Sequence, residues 1–266
     1  MQLNFVKYQA TGNDFIFINN FENQNYVYDP FVTRQLCHRQ FGIGADGIIT
    51  IEKNKHCDFE MLHYNADGSR GGGLCGNGSR SAIHYAQQLG FIQEKTQFWA
   101  MDGLYTGYIS SGLVYLKLQD VASIQPLQLG YFVDNGTRHY IEMVEDVHRV
   151  DMEAVGFPRR NMEPFKKEGV NLNFVQLSGN TMLLRTCECG LDSEPLSCGT
   201  GAVASALVAH AYYGVHSPVE VITKGGKLWI EFWRLPNGRF TNIYLVGEVN
   251  QSFHGVVDLS DLPAIT

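Results

Sequence analysis

One tetrad, Cys-Gly-polar-Gly, occurs twice in this chain, and its surroundings occur twice with it. Leu74-Cys75-Gly76-Asn77-Gly78 returns as Ser197-Cys198-Gly199-Thr200-Gly201, an offset of 123 (75 to 198). At the same offset Asn65 falls on Glu188, and Asp102-Gly103 on Gly225-Gly226. Each tetrad opens a helical pattern that ends in glycine, at Gly90 and at Gly214, and each of the matched dipeptides is followed by an apolar-rich strand. A single match of this kind would be chance. Order and spacing kept together over about 45 residues mark two copies of one unit. The unit reads strand, loop, Cys-Gly-x-Gly, helix, strand, glycine turn, strand.

The rest of the pattern is mixed, which places the chain in the α+β class. Strands are expected at Phe15–Ile18, Gly47–Ile51, Phe59–Tyr64, Gln97–Ala100 and Val114–Leu118. In the second copy they are expected at Tyr140–Val144, Phe174–Leu177, Met182–Thr186, Val219–Thr223, Lys227–Trp233 and Ile243–Val246. All are rich in β-branched and aromatic residues. Ala82, Ala86 and Leu89 recur at helical spacing after Cys75, as do Ala204, Leu207, Val208 and Ala211 after Cys198. The second helix is apolar nearly all round, so its own sheet should enclose it. A further helix should start at Pro30, capped by Asp29. The halves are expected at 1–120, carrying Cys75, and 121–250, carrying Cys198. The pattern breaks at Gln119–Leu127, where Pro126 intervenes, and the tail 251–266 is expected to return to the first half.

Composition removes several function classes. The net charge is −7, from 27 acidic against 20 basic residues, whereas a nucleic-acid binder needs a basic surface. No run of about 20 apolar residues could span a bilayer, and Met1–Lys7 lacks a signal-peptide pattern. A cytoplasmic protein is expected, acting on a small molecule without nucleic acid or membrane, and a homodimer is compatible with that. In that compartment the six cysteines stay reduced. Cys187 and Cys189 form a Cys-x-Cys pair, but no second pair stands at a metal-binding spacing, so no metal is expected. Neither a phosphate loop nor a dinucleotide fingerprint is present, and no cofactor is implied.

A cysteine just before a helix sits beside free backbone N–H groups and the positive end of the helix dipole. That setting lowers a thiol pKa. The following glycines let the backbone approach a ligand closely, and such helix starts bind carboxylates. Two of them, related by pseudo-symmetry, suit an amino acid held by its α-carboxylate. One thiolate removes the α-proton from one face, and the other thiol gives a proton to the opposite face. The two directions of reaction require acid and base to exchange roles, which a pseudo-symmetric site allows.

The chain resembles the diaminopimelate epimerase family over nearly its whole length. The resemblance is carried by Ala10-Thr11-Gly12-Asn13-Asp14-Phe15, Phe41-Gly42-Ile43-Gly44-Ala45-Asp46-Gly47 and Asn65-Ala66-Asp67-Gly68-Ser69. Cys75-Gly76-Asn77-Gly78-Ser79-Arg80 and Cys198-Gly199-Thr200-Gly201 complete it. It implies two pseudo-symmetric halves, each a curled, mostly antiparallel sheet around a central helix, with the active site between them. It implies conversion of LL- to meso-diaminopimelate, a step toward lysine and cell-wall precursors. Cys75 and Cys198 match the family's catalytic thiols, and His139 and Glu188 match residues that assist them. Gly76, Asn77, Gly199 and Thr200 match the groups that hold the reacting carboxylate. Asn13, Asn65 and Asn171 match polar contacts to the substrate. Arg80, one turn into its helix, is expected to pair with an acidic neighbour and be structural.

Two departures bear on the substrate. The family's arginine after the glutamate, which grips the distal carboxylate, is here Cys189. Thr137 and Arg138 stand where a small polar residue and a proline are usual, and Arg138 is a candidate replacement cation. Two alternatives therefore stand beside the epimerase. One is a racemase of the same fold for another amino acid. The other is a thiol redox sensor or binding protein that uses the same cysteines.

Overall fold

The helices start where the sequence supplies caps. In the computed structural model, which describes residues 1–21, 26–101 and 103–263, Asp29 caps α1 (Pro30–Cys37). Its carboxylate accepts from the N–H groups of Phe31 at 2.7 Å and Val32 at 3.2 Å. Cys75 is the N-cap of α2 (Gly76–Gln88). A π-helical turn, Met152–Gly156, leads into the short α3 (Phe157–Arg160). Cys198 is the N-cap of α4 (Gly199–Tyr213), which Gly214 ends in the left-handed region at φ 72°. Asp102, one member of the repeated Asp102-Gly103, lies outside the described residues, as does the end of the tail at 264–266. No described helix is long and apolar enough to cross a membrane.

The chain divides into two units. The first comprises Met1–Leu116 and the segment from Glu248 onward, and the second Lys117–Gly247. In the first unit the strands are β1 (Gln2–Ala10), β2 (Asn13–Asn19), β3 (Gly47–Glu52), β4 (Phe59–Asn65), β5 (Lys95–Ala100), β6 (Gly103–Ser110) and β7 (Leu113–Lys117). They follow one another in order across the sheet. The edge beside β1 is filled from the far end of the chain by β16 (Asn250–Asp258). In the second unit β8 (Gln125–Leu127), β9 (Gly130–Asp134), β10 (Arg138–Met143) and β11 (Asn171–Ser178) come first. They are followed in order by β12 (Thr181–Cys187), β13 (Val219–Thr223), β14 (Gly226–Arg234) and β15 (Phe240–Gly247).

Both sheets use the same pairing pattern. Parallel pairs occur at β2–β3 and β4–β5 in one unit and at β10–β11 and β12–β13 in the other; the remaining pairs are antiparallel. The registers repeat as well. Phe98 pairs with Tyr105 and Val221 with Leu228, each 123 residues on (98 to 221, 105 to 228). Phe59 with Phe98 becomes Met182 with Val221 at the same offset. The repeated tetrads are thus the visible part of a duplication that extends to strand register. A one-residue slip would turn every side chain to the other face, so burial of one face in each unit keeps the match.

Each sheet curls around its own helix. α2 packs on β1, β2, β3, β4 and β6, with Ala82, Ile83 and Ala86 fully buried. α4 packs on β9 to β15, and Val203, Leu207 and Val208 are fully buried. Each of the buried valine, leucine and isoleucine side chains contributes about 1.5–3 kcal/mol. This is why α4 is apolar all round.

Four strands had no clear counterpart in the sequence reading. β16 is largely exposed and polar, so it carries little alternation. β1 interleaves Asn, Lys and Gln with its apolar positions, and β9 is a short, partly exposed strand. β8 includes Pro126 and falls within the expected pattern break. A proline without an N–H is tolerated there because β8 is an edge strand.

Candidate active site

In the first unit, the hairpin turn Thr11-Gly12 joins β1 to β2 and delivers Asn13 to the start of α2. Thr11 has φ 48° and Gly12 φ 82°, a turn that glycine makes cheap. Asn13 donates to Asp46 Oδ2 at 2.7 Å, which points its Oδ1 at two donors, Asn77 Nδ2 at 3.4 Å and Cys75 Sγ at 3.7 Å. Cys75 Sγ also accepts from the Gly78 N–H at 3.4 Å. Gly76 and Asn77 are the first two residues of α2, where backbone N–H groups lack helical partners. Four of the residues singled out from the sequence, Asn13, Cys75, Gly76 and Asn77, are therefore gathered at one helix start. Asn65 ends β4, and its amide is bonded to Ser69 Oγ at 3.0 Å.

Arg80 differs from expectation. It is fully buried, yet no described carboxylate pairs with it; its bond is to Asn77 Oδ1 at 2.6 Å. The acidic residues around α2 are already engaged, Asp14 by Lys7 at 2.7 Å and Asp46 by Arg39 at 2.8 Å.

In the second unit, Cys198 is buried, with Thr200 Oγ1 at 3.7 Å from its sulfur. Burial pushes this thiol well above its ordinary value, and the charge of Glu188 and a hydrogen bond to it add to the rise. The expectation that a helix start lowers the thiol pKa therefore fails at Cys198. Desolvation and a neighbouring carboxylate outweigh the dipole, and the group rests as a thiol. Glu188 is itself raised by burial, with the hydrogen bond to Cys198 acting the other way. Thr200 is held from outside the helix, its carbonyl accepting from Asn135 Nδ2 at 2.8 Å.

His139 lies on β10 with no exposed surface, and burial pushes it down to about 3. Asn173 Nδ2 meets its Nδ1 at 3.1 Å, and Thr186 Oγ1 donates to Asn173 Oδ1 at 3.0 Å. Thr186 fixes which way the Asn173 amide points, so Nδ1 accepts and the proton is assigned to Nε2. That Nε2 has no hydrogen-bond partner among the described residues. Asn171, also buried, accepts from the Cys189 N–H at 2.7 Å. Arg160 donates to the carbonyls of Glu188 and, at 2.7 Å, Leu191, so it clamps the turn that carries Glu188.

The Cys189 side chain is exposed, and its sulfur lies 2.5 Å from where a Cβ on Gly169 would stand. Arg138 is committed to Glu168 at 2.5 Å and lies 5.4 Å from the centre of the Phe132 ring.

Asn173, Asn135 and Arg160 were not singled out from the sequence. Asn171-Leu172-Asn173 carried a usable signal: asparagine at period two within an apolar strand is unfavourable unless its amide is satisfied inside.

A helix-centred sheet used twice with one register defines a known class of fold. A phenazine biosynthesis protein of the PhzF family from Bacillus anthracis matches with TM-score 0.70, over 97% of this chain and 99% of its own, at 13% identity. A hydroxyproline epimerase from Agrobacterium vitis matches with TM-score 0.65, over 96% and 92%, at 11% identity. These likenesses are of fold. Sequence narrows the class: the chain belongs to the diaminopimelate epimerase family, whose model matches residues 5–103 and 131–250. The diaminopimelate epimerase of Flavobacterium psychrophilum is 36% identical over 262 residues, 96% of this chain and all of its own. That of Aquifex aeolicus is 33% identical over 275 residues, 95% and 97%.

Proposed function

We propose that this protein is a cofactor-independent epimerase that inverts the α-carbon of LL-diaminopimelate to give the meso isomer, in the cytoplasm, where its thiols stay reduced. The observation that carries the reading is a cysteine at the N-cap of the central helix in both copies of the duplicated unit. One sulfur, as thiolate, takes the α-proton, and the other, as thiol, delivers one to the opposite face; the reverse reaction exchanges these roles. The N–H groups at Gly76, Asn77, Gly199 and Thr200 hold the carboxylate and stabilise the charge that builds on it. Asn13, Asn65 and Asn171 supply polar contacts to the substrate. His139 and Glu188 assist the two thiols, Glu188 by receiving the Cys198 proton and the neutral imidazole of His139 by offering Nε2–H.

A second reading, a racemase for an amino acid without a distal carboxylate, is favoured by Cys189 and by the engagement of Arg138 with Glu168. The experiment is uptake of deuterium at the α-carbon in deuterated water, on LL-diaminopimelate and on a panel of monocarboxylic amino acids. The parent should exchange and invert diaminopimelate, and Cys75→Ser and Cys198→Ser should each lose inversion. Inversion of a monocarboxylic amino acid alone establishes the second reading. A parent that exchanges nothing is a sensor or binder.

A further inference from the structure

α2 holds a cation where one is costly. Arg80 is fully buried, and an unpaired buried charge is among the most destabilising arrangements a core can contain. Its side chain runs back toward the helix start, as long helical side chains do, and ends on Asn77 Oδ1 at 2.6 Å. Its Nε and other amino group have no hydrogen-bond partner among the described residues. From Asn77 the bonds run one way, through its Nδ2 to Asn13 Oδ1 at 3.4 Å and from Asn13 Nδ2 to Asp46 at 2.7 Å. The first carboxylate on this path is thus two amides away and already paired with Arg39. Cys75 Sγ shares the Asn13 acceptor.

Among the described residues, no other charge competes for Arg80 from the elements packed on α2. β1 presents Tyr8, against His84 and Tyr85 of the helix itself. β4 presents His63, pushed down to about 4 by burial and so neutral at pH 7, and β6 presents Tyr105, on the same face as Gly107. β2 and β3 present Phe15, Phe17, Ile49 and Ile51. Burial pushes His84 down and Tyr8 and Tyr85 up, which leaves all three uncharged at pH 7.

We propose that Arg80 is the positioning residue of Cys75: its buried cation, aimed at the start of α2 and tied through Asn77 to the thiol's own acceptor, orients the sulfur and favours its thiolate. The proposal rests on Cys75 being one of the two reacting thiols. Burial lowers the guanidinium to about 10, and the Cys75 sulfur acts the other way; that attraction is reciprocal, so the cation stabilises the thiolate in turn. The second unit is built to the opposite preference. At the matching position (80 to 203) stands the fully buried Val203, and Cys198 meets the Glu188 carboxylate instead. The resting protein therefore holds one sulfur ready as base and the other ready as acid.

The test is alkylation of Cys75 by iodoacetamide in the full chain, followed by peptide mass spectrometry from about pH 5 to about pH 10, the range of thiol ionisation. Exposed Cys189 serves as the internal reference. In the parent, the Cys75 midpoint should lie below the free-thiol value of about 8.5. Arg80→Gln keeps a donor for Asn77 but removes the charge. It should raise the midpoint by about one pH unit or more, slow alkylation at pH 7 about tenfold, and lower kcat with KM little changed. Arg80→Lys should stay near the parent midpoint. A parent midpoint at or above the free-thiol value overturns the proposal whether or not the variants fold. An unmoved midpoint in a folded Arg80→Gln also overturns it. Because alkylation needs no turnover, a parent with the expected midpoint that exchanges no α-proton would sink the epimerase reading while leaving the Arg80–Cys75 pairing in place.

Discussion

Gly78 and Gly201 occupy the same position in the two copies, the third residue of each central helix, yet alanine should be tolerated at one and not at the other. A Cβ on Gly78 would stand 2.7 Å from Ile49 Cδ1, the mobile end of an aliphatic chain. Turning that methyl costs about 0.5–1.5 kcal/mol, and alanine returns up to about 1 kcal/mol of helix propensity, so Gly78→Ala should be nearly neutral. A Cβ on Gly201 would stand 2.4 Å from Asn173 Oδ1 and 3.2 Å from Cys198 Sγ. Asn173 cannot swing away freely. Its amide binds His139 Nδ1, the carbonyls of Tyr140 and Asn171, and the Thr186 hydroxyl. Overpacking costs about 1–3 kcal/mol, and a buried polar group left unsatisfied about 1–3 kcal/mol. Set against the propensity gain of up to about 1 kcal/mol, Gly201→Ala should lose about 1–5 kcal/mol. Urea unfolding of the two variants beside the parent measures the difference, and deuterium exchange shows whether His139 has been displaced. A Gly201→Ala protein no less stable than Gly78→Ala would refute the account of Asn173 as a fixed, fully bonded amide.

Acid should destabilise the fold early, because His63 and His139 are buried neutral at about 4 and about 3. With folded values below the unfolded value of about 6.5, their contribution is full above that pH and is lost as pH falls toward the folded values, each losing about 2 kcal/mol by about pH 5. Equal urea midpoints at about pH 7 and about pH 5 would contradict this. At the distal end, Cys189→Arg should raise kcat/KM on diaminopimelate about 10–150-fold if the lost hydrogen bond to a charged partner is what limits it. Arg138→Ala should have little effect, since that guanidinium is held by Glu168. A large loss in Arg138→Ala would show that it reaches the substrate after all.

What the sequence made legible was whatever the backbone encodes locally. Cys-Gly-x-Gly before an apolar run specifies a helix start, and Asp29-Pro30 another, so the central helices and the pseudo-symmetric α+β architecture could be read directly. β16 was hidden because an exposed edge strand needs no alternation, and β8 because a proline there breaks no ladder bond. At the site, residue types were readable but their electrical state was not. Cys198 is a thiol because of how deeply it is buried and which carboxylate meets it, and neither shows in a tetrad shared with Cys75. Arg80 is expected from the sequence to pair with an acidic neighbour, and only packing shows that it is fully buried with no described carboxylate partner. The sequence gives no clear signal of what Asn173 binds, because its partners, His139 and Thr186, lie on two other strands.

The return of β16 to β1 also sets a timetable for synthesis. The second unit is one continuous stretch and can close as soon as β15 leaves the ribosome. The first cannot, because the strand that covers β1 is made about 240 residues after β1 ends (Ala10 to Asn250). At about 5–20 residues per second, that leaves the outer N–H and C=O groups of β1 without a partner for roughly 10–50 s. During that interval a nascent chain is open to strand addition by a neighbour on the same polysome. The earlier-made unit is therefore the later to be sealed, and the yield of folded protein should be most sensitive to substitutions in β1 and β16 that have little effect on the finished molecule.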